Sequence, residues 1–205
     1  MSLFITFEGG EGCGKSTQSK LLYQHLRRLA LPALLIHEPG VTQLGKKISS
    51  LLKWSRDINI TPLAELLLFN VSRAQLVTEV IQPNMKKDTI VICDRYADST
   101  LAYQGYGRGL DLSVVKSVND IAAQGIIPDI TFLMDIPVGE GLKRKEDKKA
   151  DRFETENISF HHRVREGYLT LAKAEPKRWV VIDATKSKEN IAGIIWQRVS
   201  KILPG

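Results

Sequence analysis

The chain has 205 residues, of which 43% are hydrophobic and 25% charged, and its formal net charge is +6. This composition predicts one globular domain with its own core and excludes collagen-like, low-complexity and disulfide-scaffold proteins. Two cysteines, Cys13 and Cys93, and four histidines show no zinc-ligand spacing, so we expect free, buried thiols in a reducing compartment. No apolar stretch is long enough to span a membrane and no secretory signal pattern is found, which predicts a cytoplasmic protein.

Five short apolar runs predict buried strands of a parallel sheet that is covered on both faces. They are residues 3–7, 33–37, 89–93, 130–135 and 179–183. The segments between them predict helices over residues 15–31, 62–81, 112–124, 158–174 and 187–202, with Pro83 as the stop of the second. This alternation predicts right-handed crossovers and a doubly wound α/β fold over residues 1–205.

Residues 9–16, GGEGCGKS, form a phosphate-binding loop, or P-loop, between the first strand and the first helix. Glycines let the backbone point N–H groups at phosphate oxygens, and the helix N-terminus adds positive potential. We expect an exposed Lys15 to reach the terminal phosphates and the Ser16 hydroxyl to ligate Mg²⁺. The predicted ATP-binding residues are Gly9, Gly10, Glu11, Gly12, Cys13, Gly14, Lys15, Ser16 and Thr17.

The rest of the chain narrows the choice among P-loop proteins. A guanine-specific GTPase should carry D-x-x-G and N-K-x-D, and neither is found; a large motor would need a longer chain. Residues 143–152, KRKEDKKADR, contain six basic and three acidic side chains. This composition fits either a solvated surface or a lid that closes on phosphates. A short P-loop chain with such a segment favours phosphoryl transfer between nucleotides.

Several further motifs are spread along the chain. The most specific is the run DRYADSTLAYQ at residues 94–104, followed by GYGRG. Others are FEG at residues 7–9, EPG at 38–40, DRFE at 151–154 and RVREGYL at 163–169. Together and in this order they resemble the thymidylate kinase family of the bacterial type, in which the catalytic arginine lies in the lid. The resemblance covers nearly the whole chain.

The resemblance implies a fold and an activity. The fold would be that of the P-loop nucleoside-monophosphate kinases, a five-stranded parallel sheet flanked by helices with a short basic lid at 143–152. The reaction would transfer the ATP γ-phosphoryl group to dTMP with Mg²⁺, and the partners would be small nucleotides rather than nucleic acid or membranes. A homodimer packed through helix 62–81 is also implied. Another nucleoside or nucleoside-monophosphate kinase, or a nucleotide-binding regulatory module without turnover, is the alternative.

The residue chemistry suggests how an acceptor nucleotide would be held. Arg95, at a strand end beside the P-loop strand, can grip a phosphate bidentately, and Asp94 can hold Mg²⁺ through water. A structural Asp–Arg pair is the alternative. Phe69 could belong to the core or stack on a base. Arg73, at i+4 on the same helix face, could donate to a thymine carbonyl.

The resemblance adds roles for further residues. It favours stacking for Phe69 and implies a sugar-side role for Tyr103 and a base-contacting amide for Gln104. Glu11 and Glu38 would face the acceptor, although each could instead be a solvated carboxylate. The predicted dTMP-binding residues are Glu11, Glu38, Phe69, Arg73, Arg95, Ser99, Tyr103 and Gln104.

Three positions depart from the family pattern. His37 and Ser49 stand where relatives often have arginine, and the arginine at Ser49 would hold the acceptor phosphate; Lys46 or Lys47 could compensate. Gly12 stands where some members carry a P-loop arginine, so the charge that stabilises the transferring group must come from the lid. We predict Arg144 for this role, with Arg152 second, because lysine cannot reproduce a bidentate arginine contact. The predicted catalytic residues are Lys15, Arg95, Arg144 and Arg152.

Overall fold

The computed structural model describes residues 2–55, 57–145 and 151–203. Within these ranges, five parallel strands form one sheet in the order β2-β3-β1-β4-β5. The strands are β1 (Phe4–Glu8), β2 (Ala33–His37), β3 (Ile90–Asp94), β4 (Ile130–Asp135) and β5 (Trp179–Asp183). All five predicted strands are confirmed, and the predictions for β1 and β3 are each displaced by one residue.

Helices cover the sheet on both faces. They are α1 (Lys15–Arg28), α2 (Gln43–Trp54), α3 (Pro62–Leu76), α4 (Gln82–Met85), α5 (Ala97–Thr100), α6 (Leu112–Ala123), α7 (Val138–Lys143), α8 (Ile158–Ala174) and α9 (Lys188–Val199). Two π-helical segments, Val77–Ile81 and Leu101–Gly107, continue α3 and α5. None of the described helices is long and apolar enough to cross a bilayer.

Local sequence explains where five of the described α-helices begin. Side chains of Thr42, Thr61, Asp111, Asn157 and Ser187 accept hydrogen bonds from backbone N–H groups at the starts of α2, α3, α6, α8 and α9. The prediction that Pro83 stops the second helix is wrong, since helical backbone continues to Met85. Pro83 directly follows the π-helical segment Val77–Ile81, in which the Gln82 N–H donates to Val77 O. The α-helical hydrogen-bond pattern, from which an interior proline would remove a bond, is thus already altered there.

The core lies on both sides of the sheet. Phe7 and Phe132 pack with helices α1 and α9 on one side, while Phe4 and Val91 pack with the α3 segment on the other. Cys13 and Cys93 are free and buried, as predicted. The register aligns Phe7 with Asp94 and with Phe132, so the carboxyl ends of β1, β3 and β4 lie at one edge. The loops that leave this edge carry the motifs found in the sequence.

Candidate active site

A cavity of about 730 Å³ opens at the carboxyl edge of the sheet. The side chains and loop residues that line it include most of the predicted site: Glu11, Gly12, Cys13, Gly14, Lys15, Ser16, Thr17, Glu38, Phe69, Arg73, Asp94, Arg95, Ser99, Tyr103, Gln104 and Arg144. Gly9, Gly10 and Arg152 are the predicted residues outside this lining. One cavity thus joins the P-loop to the DRY motif.

Lys15 occupies the P-loop itself. Its ammonium donates to the carbonyls of Gly9 at 3.0 Å and Gly10 at 2.7 Å, and it lies 3.3 Å from the Cys13 sulfur. Only 7% of Lys15 is exposed, so the expectation of an exposed lysine is wrong. The loop folds around the side chain because its carbonyls point inward at the ammonium.

Two glycines hold the P-loop against helix α7. A Cβ atom built on Gly12 would lie 1.9 Å from the carbonyl oxygen of Gly141. A Cβ atom built on Gly141 would lie 2.4 Å from the carbonyl oxygen of Glu11. The two backbones therefore touch, and helix α7 leads directly from this contact to Arg144.

Ser16 and Asp94 lie side by side between the P-loop and β3. The Ser16 hydroxyl donates to a carboxylate oxygen of Asp94. Hard oxygen ligands of this kind fit Mg²⁺. The described residues hold no cluster of three or more acidic, histidine or cysteine ligands. A cation here would therefore take its other ligands from phosphate or water.

Arg95 is held from several sides. Its Nη1 donates to Gly9 O at 3.0 Å and to the Tyr168 hydroxyl at 3.2 Å. Its Nη2 donates to Glu11 at 2.9 Å and to the Tyr103 hydroxyl at 3.1 Å. The backbone adopts φ 70°, a left-handed conformation that is costly for a residue with a side chain. Such strain persists only where the surroundings enforce it.

Glu11 is an ion-pair partner in the structure rather than a solvated carboxylate. Burial opposes its ionisation, but Arg95 and Lys15 together lower the pKa of Glu11 to about 2. The Tyr103 hydroxyl also donates to Glu11, at 2.6 Å. Arg95, Glu11 and Tyr103 thus form one hydrogen-bonded group at the cavity wall.

Arg73 directs its N–H groups at protein acceptors. It is 1% exposed and meets both oxygens of Glu38, at 3.1 and 2.5 Å. Further acceptors are Asn70 at 3.0 Å, Asn119 at 2.7 Å, Thr100 at 2.7 Å and Tyr96 O at 3.3 Å. Glu38 is buried too; burial raises its pKa and Arg73 opposes that rise. A thymine contact by Arg73 stays a prediction, and it would require one of these acceptors to be exchanged.

The aromatic side of the cavity contains Phe69 and Tyr103. The Phe69 ring lies 5.7 Å from that of Phe153, and both rings line the cavity. Gln104 is buried and donates from Nε2 to Glu65 at 2.8 Å. The sequence did not predict that Glu65 is the partner of Gln104, because the partners of a carboxylate in an apolar helix cannot be inferred from the sequence pattern.

The lid segment, residues 143–152, is described in part. Its residues 146–150, which include Lys148 and Lys149, lie outside the described residues. Arg144 lines the cavity and donates to Ala184 O at 3.2 Å. Arg152 is instead bound to Glu65, and its Nε is buried without a partner.

Two lysines near the site were missed. Lys145 lies 2.5 Å from Glu154 and 3.8 Å from Glu11, which its place in the basic segment could have indicated. Lys53 lines the cavity, together with His37, whose pKa is lowered by burial. Lys46 and Lys47 are exposed and lie outside the lining, so Lys53 is the lysine of α2 that reaches the cavity.

Comparison with known proteins decides the family. A family model described as Thymidylate kinase matches residues 7–195. A thymidylate kinase from Dehalococcoides mccartyi strain 195 is 56% identical over 99% of this chain and 98% of its own. One from Roseiflexus sp. RS-1 is 46% identical over 94% of this chain and 91% of its own. The chain belongs to the thymidylate kinase family.

The solved structures agree with this assignment. A crystal structure of thymidylate kinase from Ehrlichia chaffeensis is 35% identical and superposes with a TM-score of 0.77, over 97% of this chain and 98% of that one. The predicted fold class, a P-loop kinase with a five-stranded parallel sheet, is thereby confirmed. The part of the chain matched by the thymidylate kinase family model contains the P-loop, Arg95 and Arg144.

Proposed function

We propose that the chain transfers the γ-phosphoryl group of ATP to the 5′-phosphate of dTMP, giving dTDP and ADP. The observation that carries this proposal is the single cavity that joins a P-loop at one end to Arg95 and the Phe69–Tyr103 wall at the other. Two nucleotides can meet there with their phosphates between Lys15 and Arg95. The names of the relatives supply the identity of the acceptor.

The P-loop holds the donor. Its N–H groups and Lys15 bind the β- and γ-phosphates, for which Lys15 exchanges the carbonyls of Gly9 and Gly10. Ser16 and Asp94 would hold Mg²⁺, which when bound neutralises charge on the phosphate oxygens. Arg144 contacts the transferring group, because it lines the cavity while Arg152 donates a hydrogen bond to Glu65.

The opposite end holds the acceptor. Arg95 grips the dTMP phosphate, with Glu11 and Ser99 around it. Phe69 stacks on the thymine, Tyr103 faces the sugar, and Gln104 lies towards the base. Arg73 has three acceptors for the two N–H groups of Nη2, so a thymine carbonyl can replace the long contact to Tyr96 O without leaving a donor unpaired. Glu38 keeps Arg73 in place.

A homodimer is the assembly that we propose. Leu63, Leu67 and Val71 lie at i, i+4 and i+8 on α3 and are 51%, 47% and 47% exposed. Val114 and Ile121 of the adjacent α6 add 47% and 79% exposed side chains. An apolar face of this kind favours association. Leu67→Glu should convert a dimer to a monomer in light scattering; an unchanged mass would contradict the proposal. A cytoplasmic location stays a prediction.

A coupled ADP-release assay tests the activity. With ATP and Mg²⁺, we expect turnover with dTMP and at least about 10²-fold lower kcat/KM with dUMP, dCMP or AMP. Lys15→Ala serves as the inactive control. Equal turnover with another monophosphate would favour a different nucleotide kinase, and ATP binding without turnover would favour a regulatory module.

A further inference from the structure

Glu8, at the end of β1, is a buried carboxylate that the proposed mechanism does not use. It is 0% exposed and lies one residue before the P-loop. One oxygen, Oε1, accepts the backbone N–H of Tyr96 at 2.8 Å. The other, Oε2, accepts the hydroxyls of Ser99 at 2.6 Å and Tyr168 at 2.9 Å.

These three donors surround Arg95. Tyr96 follows Arg95 in the chain, so its N–H fixes the strained turn in which Arg95 has φ 70°. The hydroxyls of Ser99 and Tyr168 accept from Arg95 Nη1, at 3.4 and 3.2 Å. Glu8 therefore secures Arg95 through its backbone on one side and through its guanidinium on the other.

The direction of these hydrogen bonds depends on the carboxylate. An ionised carboxyl group only accepts and a guanidinium only donates. The hydroxyls of Ser99 and Tyr168, which also lie 2.8 Å from each other, therefore direct protons at Glu8 and lone pairs at Arg95. An amide in the same place has one accepting and one donating end. Whichever way it turns, its NH₂ group faces either the Tyr96 N–H or the two hydroxyls.

We propose that Glu8 is a positioning residue that orients Arg95 for the acceptor phosphate through Tyr96, Ser99 and Tyr168. The proposal rests on the proposed function, in which Arg95 grips that phosphate. Glu8 itself is too deeply buried to touch a nucleotide. Its effect should therefore appear in the use of dTMP and not in the binding of ATP.

The environment of Glu8 makes this positioning sensitive to pH. Burial raises the pKa of Glu8 to about 7, Asp98 adds to the rise, and Ser99 and Arg95 oppose it. Titratable and charged side chains interact with Glu8 from four neighbouring segments: Arg73 on α3, Cys93 and Arg95 at the end of β3, Asp98 on α5 and Tyr168 on α8. Above pH 7 the carboxylate accepts from both hydroxyls, and below it one oxygen carries a proton.

The test compares Glu8→Gln with the wild type at pH 8. We expect the KM for dTMP to rise about tenfold while the KM for ATP changes less than about twofold. Thr6→Val is the matched control, because Thr6 is buried on the same strand and its hydroxyl bonds only to Thr131 at 2.8 Å among the described contacts. It should change neither KM by more than about twofold.

A pH profile separates positioning from a structural role. The ratio of wild-type to Glu8→Gln kcat/KM for dTMP cancels the titration of the substrate phosphate. We expect this ratio to fall towards 1 as the pH is lowered from 8.5 to 6. A ratio that does not depend on pH, or a dTMP KM within about twofold of wild type at pH 8, would overturn the proposal.

Two further variants keep the outcome clear. Arg95→Ala should raise the KM for dTMP strongly; if it does so while Glu8→Gln has no effect, the role of Glu8 is wrong and the proposed function stands. If Arg95→Ala leaves the KM for dTMP unchanged, Arg95 does not bind the acceptor phosphate, and the proposal for Glu8 is wrong as well. Should Glu8→Gln not fold by circular dichroism, Tyr168→Phe decides: it removes one linking hydroxyl and should raise the dTMP KM alone, and an unchanged KM would overturn the proposal.

Discussion

Arg73 and Glu38 form an ion pair inside the protein, with side chains that are 1% and 2% exposed and an N–O distance of 2.5 Å. The pair joins α3 to the loop after β2, two segments that both line the cavity. Removal of one partner from such a pair leaves an uncompensated charge in the interior.

Arg73→Ala should therefore affect stability as well as recognition. We expect the free energy of unfolding to fall by about 3–5 kcal/mol, measured by urea titration. The KM for dTMP should rise far more than that for ATP in the folded fraction. Arg73→Ala combined with Glu38→Gln should recover part of the stability, because the isolated carboxylate is gone; a double variant less stable than the single one would contradict this account.

Lys15→Ala should abolish turnover. The variant loses the cation for the terminal phosphates. The two carbonyls that Lys15 leaves keep other donors, since Arg95 Nη1 donates to Gly9 O at 3.0 Å and the Cys13 thiol donates to Gly10 O at 3.1 Å. We expect a circular dichroism spectrum like that of the wild type. Near-normal activity in a folded Lys15→Ala protein would disprove the P-loop assignment.

Arg144 and Arg152 should respond differently to substitution. Arg144→Ala should lower kcat by at least about 10²-fold with little change in dTMP affinity, and Arg144→Lys should restore only part of it. Arg152→Ala should mainly lower the melting temperature, because it removes one ion-pair partner of the buried Glu65. If both variants keep kcat within about threefold of wild type, the lid-arginine mechanism fails.

The ion pair of Glu11 makes the free energy of unfolding depend on pH in the acid range. Its pKa is about 2 in the folded chain against 4.5 when unfolded, so its contribution of about 3 kcal/mol is complete above pH 4.5 and is lost as the pH falls towards 2. Glu8 has the opposite effect on stability. Because its pKa is raised to about 7, its contribution to the free energy of unfolding is lost as the pH rises through 7. Urea titrations of Glu11→Gln and wild type should differ less at pH 3 than at pH 6; an equal difference would contradict the pairing.

Gly141→Ala tests the contact between helix α7 and the P-loop. Alanine suits the helix, so the main obstacle is the approach of its Cβ to the carbonyl oxygen of Glu11 at 2.4 Å, with a lesser one from the Ile136 side chain at 3.2 Å. We expect kcat to fall about 10- to 100-fold through displacement of the P-loop and Arg144. Gly139→Ala is the control, because nothing lies within 4 Å of a Cβ there. Equal kinetics in the two variants would show that the contact carries no catalytic consequence.

Sequence reasoning located the strands well, because parallel strands buried on both faces are continuous apolar runs. It missed α2, whose buried face consists of little more than Ile48 and Leu52 between lysines and serines. Sequence reasoning also did not predict that α3 passes into π turns at Val77, because the spacing of apolar residues does not distinguish π turns from α turns.

The site was harder to predict than the fold. The residues that line the cavity were mostly identified, because motifs are local. Their partners were not: Arg73 bonds to Asn119, 46 residues away, and Arg152 bonds to Glu65, 87 residues away. Such pairs depend on how helices pack, which a linear pattern does not contain.

The contact between Gly12 and Gly141 also bears on how this enzyme can evolve. Gly12 is the position at which a P-loop arginine would stand, but any side chain there would collide with the backbone of α7. A single codon change to arginine would therefore add the guanidinium and at the same time push away the helix that carries Arg144. A P-loop arginine therefore cannot be added gradually while Arg144 keeps its place. We expect descendants of this chain to retain glycine at position 12 for as long as α7 stays where it is.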